Sequence, residues 1–125
     1  MGRFRIDRLA RVSGVLVDPD KIPVLGRCHH ATSPLARTVG LLGTRDLGDD
    51  EGVWIRRCGS VHTIGMRVAI DVAFLDDTDR VLRVVGALVP WRIARQVGAL
   101  SVVEGPAGSL AALAPGVVLT LRMSH

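Results

Sequence analysis

The stretch CGSVHTIGMRVAIDVAFLD, residues 58–76, decides the fold of this chain. In an extended chain, one side carries Val68, Ile70, Val72 and Phe74, and the other side carries Ala69, Asp71, Ala73 and Leu75. Because both sides are mostly apolar, the pattern predicts a strand that is covered on both faces. A polar turn at residues 76–79 and a returning strand over residues 80–85 complete the predicted hairpin.

The rest of the chain predicts further short strands and few helices. A first hairpin is expected to turn at residues 18–21. The other predicted strands cover residues 53–55, 88–91, 100–104 and 117–122. Ser33 and Pro34 begin a predicted helix over residues 33–42, and a second short helix is expected near residues 107–113. Many short strands with two short helices predict a mainly β fold, either a sandwich or a distorted barrel.

Length and composition predict one domain and exclude some classes of partner. A chain of 125 residues is a single domain on length, with a basic strand or arm over residues 1–11. The net charge is +4, but the basic residues are spread along the chain and aromatic residues make up only 3% of it, so we predict no specific binding of nucleic acid. No apolar run approaches about 18 residues and no export signal is recognisable, so we expect no membrane span and a cytoplasmic protein.

Cys58 and His62 are the residues of the central stretch that suggest chemistry. Together with Asp71 they supply the residue types of a nucleophile, its base and an orienting carboxylate. On a straight strand, however, Cys58 and His62 lie about 13 Å apart, too far to share a zinc ion unless Gly59 bends the chain. The predicted second strand adds Cys28, His29 and His30. Their spacing matches no standard zinc site, so we predict no cofactor and leave a small hydrolase or metal-dependent enzyme as an alternative.

Asp71 is the most informative polar residue because it interrupts an apolar strand. A buried carboxylate must find hydrogen-bond donors or become neutral. It is therefore expected either to tie this strand to another segment or to form the floor of a polar pocket. The candidate donors are Thr63, His62, Arg37 and Arg92. Glu104 has a similar ambiguity, since it either caps the segment that follows it or faces the same pocket.

Several separate segments of the chain resemble the DUF192 family. They are RTVGLL at residues 37–42, HTIGMRVAIDVAFLDDTDRVLRVV at residues 62–85, PWR at residues 90–92 and VEGPAG at residues 103–108. The resemblance runs over residues 12–121 in the same order. It departs at Leu42, where the family usually has Met, and at Gly116-Val117, where the family has Gly-Asp. The resemblance implies a compact, jelly-roll-like β domain and no known reaction.

The leading functional prediction is a non-enzymatic ligand-binding or accessory domain. Its site is expected to be a polar groove beside the central hairpin, near Cys58 and His62. The predicted ligand contacts are Thr63, Asp71, Trp91, Arg92, Glu104 and Arg37. An indole ring for stacking and a guanidinium beside it suit a small anionic or sugar-like ligand, although a half-buried tryptophan that seals the sandwich edge is the alternative interpretation. A structural or assembly role is the third possibility, and the sequence predicts no oligomeric state.

Overall fold

Nine strands and their connecting turns make up the described part of the chain. This computed structural model describes residues 10–31, 49–63 and 68–123. The strands are β1 (Ala10–Val17), β2 (Pro23–Ala31), β3 (Glu51–Arg56), β4 (Ser60–His62), β5 (Ile70–Leu75), β6 (Val81–Leu88), β7 (Ile93–Arg95), β8 (Ser101–Pro106) and β9 (Thr120–Met123). The prediction of a mainly β chain is confirmed. The predicted helix over residues 33–42 lies outside the described residues. Of the predicted basic strand or arm over residues 1–11, residues 1–9 lie outside them as well, and Ala10 and Arg11 begin β1.

Seven of the strands form one large sheet, in the order β6-β5-β8-β3-β2-β1-β9, whereas β4 and β7 form a small sheet of their own. Strands β2 and β3 are parallel, and the other paired strands are antiparallel. The end strands β6 and β9 do not pair with each other. The sandwich prediction is therefore confirmed, and the alternative of a distorted barrel is wrong. Among the described residues, none belongs to a helix with the length and apolarity needed to cross a bilayer.

The large sheet buries an apolar layer on each of its faces. On one face, which we call the small-sheet face, Val53, Val72, Phe74 and Val102 pack with Val61 of β4 and Ala94 of β7. On the other, the turn face, Trp54, Ala73, Leu75 and Val103 pack with Leu110 and Leu119. All six residues of β5 are buried, which confirms the prediction of a strand covered on both sides. Full burial of one such side chain stabilises the fold by about 1.5–3 kcal/mol.

The helix predicted near residues 107–113 is wrong, because this segment forms successive turns. Its amides bond to carbonyls three residues earlier, as in Ser109 to Pro106 at 2.9 Å and Leu113 to Leu110 at 3.0 Å. Gly108 has φ of 90°, which no right-handed helix contains. The amides of Gly108 and Leu110 donate to the Asp71 side chain instead of to backbone carbonyls. A tertiary contact therefore overrides the helix propensity of the alanines and leucines.

The structure also differs from the predicted strand at residues 88–91. Leu88 ends β6, and Trp91 lies in a bend with φ of 65°. The strand that follows, β7, lies in a segment where the sequence predicts no strand. A strand of three residues contains too few positions to show alternation, so its pairing with β4 decides its conformation.

Candidate functional site

The bend between β6 and β7 holds an exposed tryptophan on a firmly bonded backbone. Trp91 is 65% exposed, and its positive φ lies in a region that bulky residues rarely adopt. Its amide donates to the Thr63 carbonyl at 3.0 Å, and the Arg92 amide donates to Thr63 Oγ1 at 2.9 Å. The Thr63 amide donates to the Arg92 carbonyl at 2.8 Å, and its hydroxyl donates to the Val89 carbonyl at 2.7 Å. These four bonds offset a backbone strain of about 1–3 kcal/mol.

The small sheet extends this exposed region. Strands β4 and β7 each alternate between exposed and buried positions, and only their central residues face the large sheet. The outward residues pair as Ser60 with Arg95 and His62 with Ile93. Since Ile93 follows Trp91 and Arg92 directly along the chain, we group His62, Trp91, Arg92, Ile93 and Arg95 as the Trp91 surface. All five side chains of this surface are exposed.

Asp71 is buried on the turn face of β5 and is satisfied by backbone amides. Its Oδ1 accepts a hydrogen bond from the Ala87 amide at 2.8 Å, and its Oδ2 accepts from Gly108 at 2.9 Å and Leu110 at 3.0 Å. The register of β5 against β6 shifts at this point, so that Gly86 and Ala87 lie opposite Asp71 as a bulge. Asp71 therefore ties β5 to the bulge and to the turns, as the structural interpretation of the sequence predicts. Among the described residues, the predicted donors Thr63, His62 and Arg92 do not bond to it.

Glu104 is buried on the opposite face of the large sheet. It pairs with Val53 of β3 and Val72 of β5, both on the small-sheet face, and the residue is only 6% exposed. Within the described part of the chain, no hydrogen bond or ion pair reaches its carboxyl group. Burial alone raises the pKa of Glu104 to about 7. Near neutral pH, about half of the molecules therefore carry a proton on Glu104.

The predicted single groove is not formed, because its residues lie in three places. Asp71 pairs with Gly105 while Val72 pairs with Glu104, so the two carboxyl groups project from opposite faces of one sheet. The structure does bring together Thr63, Trp91 and Arg92, with His62 on the adjoining strand. Arg37, the remaining predicted contact, lies outside the described residues.

The residues proposed for thiol or metal chemistry also lie apart from one another. Cys58 is buried in the core of the small-sheet face, and its thiol donates to the Ser60 carbonyl at 2.9 Å. His62 points outward from β4, and Asp71 lies on the turn face, so the three cannot act on one substrate atom. Cys28 is buried as well, and burial raises the pKa of its thiol to about 12. Within residues 10–31, 49–63 and 68–123, no three His, Cys, Asp or Glu side chains are grouped as metal ligands.

Three polar contacts join segments that are far apart in sequence. On the small-sheet face, His29 Nε2 lies 2.6 Å from a Glu51 carboxyl oxygen. On the turn face, Arg56 donates to His30 Nε2 at 2.9 Å and to Asp79 at 2.6 Å. Burial, and then the Arg56 charge, lower the pKa of His30, which Asp79 partly opposes. Sequence reasoning missed all three contacts, because two depend on the parallel pairing of β2 with β3 and the third depends on the approach of β3 to the turn between β5 and β6. No local sequence pattern shows either arrangement.

The chain belongs to the DUF192 family, described as "Uncharacterized ACR", whose sequence profile matches residues 17–121. This confirms the resemblance found in the sequence. No curated protein matches the sequence.

Two solved structures are similar, each over most of both chains. One, named a "putative transcription regulator" from Sinorhizobium meliloti 1021, is 19% identical over 88% of this chain and 92% of its own, with a TM-score of 0.74. The other, a protein of unknown function from Novosphingobium aromaticivorans DSM 12444, is 21% identical over 86% and 83%, with a TM-score of 0.70. At these identities the likeness shows the fold alone.

Proposed function

We propose that this chain is a non-enzymatic ligand-binding domain whose site is the Trp91 surface. The observation that carries the proposal is the exposed Trp91 ring on a backbone held in the left-handed region by Thr63. Strained backbone that its surroundings fix in place is concentrated at functional sites. A large ring that is exposed on a rigid support loses little entropy when a ligand covers it.

The side chains around Trp91 favour a small anionic ligand that contains a ring, such as a sugar acid or sugar phosphate. The indole face can stack on a flat or sugar-like ring, and Ile93 widens its apolar surface. Arg92 and Arg95 supply guanidinium groups, which match carboxylates and phosphates in geometry. His62 adds an imidazole that can donate or accept a hydrogen bond. The cytoplasm remains the expected compartment, and specific nucleic-acid binding is not part of the proposal.

Calorimetric and thermal-shift titrations test the proposal with defined probes: glucuronate, glucose 6-phosphate, AMP and neutral glucose. Trp91→Gly is the main variant, because glycine accepts the positive φ that tryptophan resists. We expect Trp91→Gly to keep or raise the melting temperature. The affinity for any probe that binds the parent chain should fall at least tenfold, or by about 1.4 kcal/mol. Arg92→Gln should weaken the anionic probes more than glucose.

The matched control is Val97→Ala, which truncates a side chain that is 91% exposed and lies outside the Trp91 surface. This variant should bind every probe as the parent chain does. If a probe binds Trp91→Gly as tightly as it binds the parent, its site lies elsewhere and the proposal is wrong. If no probe stabilises the parent chain, a structural or assembly role becomes the better explanation.

A further inference from the structure

Glu104 lies in a row of side chains that crosses the small-sheet face of the large sheet. The register places Val72 of β5, Glu104 of β8, Val53 of β3 and His29 of β2 side by side. Neighbouring strands are about 4.8 Å apart, so a valine flanks the Glu104 side chain on each side. Glu104 is only 6% exposed, so its side chain is largely enclosed in this layer.

The small sheet covers the same face. Val61 and Ala94, its inward residues, belong to one apolar cluster with Val53 and Val72. The segments at both ends of β4 are bonded to segments that flank the large sheet: the Cys58 amide donates to the Leu100 carbonyl at 3.1 Å, and the Thr63 hydroxyl donates to the Val89 carbonyl at 2.7 Å. A negative charge on Glu104 would therefore lie on the same face of the large sheet as this apolar cluster.

Few charged groups on the described strands face this layer. On the strands nearest to β8 they are Arg27 and His29 on β2, Glu51 on β3 and Arg83 on β6, and Arg122 on the end strand β9 is on the same side of the large sheet. His29 and Glu51 bond to each other, whereas Arg27 and Arg83 are exposed. The small sheet turns only Val61 and Ala94 inward, and β5 presents only apolar side chains. In the described part of the chain, no cationic side chain is therefore buried beside Glu104, where it could compensate a negative charge.

We propose that proton release from Glu104 loosens the small sheet, so that a proton-linked switch lies beneath the Trp91 surface. The neutral acid is compatible with its valine neighbours. The carboxylate requires water around it, and water can enter when the two sheets separate. Ligand affinity should then fall as pH rises, because the loosened sheet carries His62 and Ile93. That consequence rests on the proposed function, but the proton link itself does not.

The direction of the pH dependence follows from the raised pKa. In the unfolded chain a glutamate releases its proton near pH 4.5, whereas Glu104 in the folded chain keeps it until about pH 7. Stabilisation by this proton is complete below about pH 4.5 and is lost as pH rises through 7. The unfolding equilibrium constant therefore increases roughly 300-fold across this window.

A nuclear magnetic resonance titration measures the proton directly, without any ligand. The sequence contains two glutamates, Glu51 and Glu104, so glutamate labelled with carbon-13 at the side-chain carboxyl gives two signals. Glu104→Gln removes one signal and thereby assigns both. We expect the Glu104 signal to titrate with a midpoint near pH 7. A midpoint below pH 5 would overturn the proposal, whether or not the variant is stable.

Amide hydrogen exchange then measures the loosening of the small sheet. After correction for intrinsic rates, protection of the β4 and β7 amides should fall at least tenfold between pH 6 and pH 8, while β5 stays protected. Glu104→Gln, which mimics the neutral acid, should show no such fall. Asp77→Asn, which removes an exposed carboxylate, should behave as the parent chain does. An equal fall in the parent and in Glu104→Gln would contradict the proposal and would leave the binding test at Trp91 unaffected.

Discussion

Asp71→Asn replaces one oxygen of a buried carboxylate by an NH₂ group, which cannot accept a hydrogen bond. The native carboxylate accepts one bond through Oδ1, from Ala87, and two through Oδ2, from Gly108 and Leu110. The best arrangement of the asparagine keeps its oxygen on Gly108 and Leu110. Its NH₂ group then faces the Ala87 amide, so two donors meet without an acceptor.

The cost of this substitution can be bounded from the lost contact. A hydrogen bond to a charged group contributes about 1.5–3 kcal/mol, and a buried donor without a partner costs about 1–3 kcal/mol. We therefore expect Asp71→Asn to lower the free energy of unfolding by about 3 kcal/mol, which for this length corresponds to roughly 10 °C in melting temperature. Asp71→Ala leaves three buried amides without an acceptor, which should lower the free energy of unfolding by roughly 3–9 kcal/mol. This loss is comparable with the whole free energy of unfolding of about 6–19 kcal/mol that is typical for a chain of this length.

Urea unfolding at pH 7, followed by circular dichroism, measures these differences. Asp77→Asn is the matched control, since it makes the same change of charge at an exposed position of the β5–β6 turn. It should unfold within about 0.5 kcal/mol of the parent chain. Amide exchange adds a local readout, because Ala87, Gly108 and Leu110 should lose protection first in the Asp71 variants. If Asp71→Asn unfolds at the same urea concentration as Asp77→Asn, the carboxylate does not hold these segments together.

Thr63→Val keeps the shape of the side chain but removes the hydroxyl that bonds Val89 and Arg92. We expect a loss of about 1–3 kcal/mol in urea unfolding and weaker binding at the Trp91 surface; unchanged stability would show that the hydroxyl does not fix the bend. Cys28, whose pKa is raised to about 12, stays protonated at pH 8 and should resist thiol reagents until the chain unfolds. Peptide mass analysis after brief labelling checks this, and modification of Cys28 in the native chain would contradict its burial.

The sequence predicts best what depends on local alternation. The two apolar sides of β5 and the polar turn after it specify a strand buried on both faces, and the structure confirms both. The interrupted pattern at Asp71 also predicts a buried carboxylate that either ties this strand to another segment or forms the floor of a polar pocket, and the structure confirms the tie. Its true donors could not be predicted. They are the backbone amides of residues 87, 108 and 110, and nothing in the sequence marks these amides as donors to a distant carboxylate.

The site was harder to predict because it depends on pairing between distant strands. Asp71 and Glu104 interrupt neighbouring apolar strands in the same way, and only the register shows that they lie on opposite faces. Trp91 and Arg92 are adjacent in sequence, but their junction with Thr63 requires the pairing of β4 with β7. The positive φ of Trp91 is likewise a tertiary property, since tryptophan has no intrinsic preference for that region.

The two indole N–H signals of the nitrogen-15 spectrum test the proposed binding surface most directly. The sequence contains two tryptophans, of which Trp91 is exposed and Trp54 is buried with its indole nitrogen donating to Ser101 at 2.9 Å. Trp91→Gly assigns the signals. On titration with glucuronate or glucose 6-phosphate, the Trp91 signal should move in a saturable manner while the Trp54 signal stays in place. A saturable shift that is confined to Trp54, or a bound probe that leaves Trp91 unchanged, would contradict the assignment of the site.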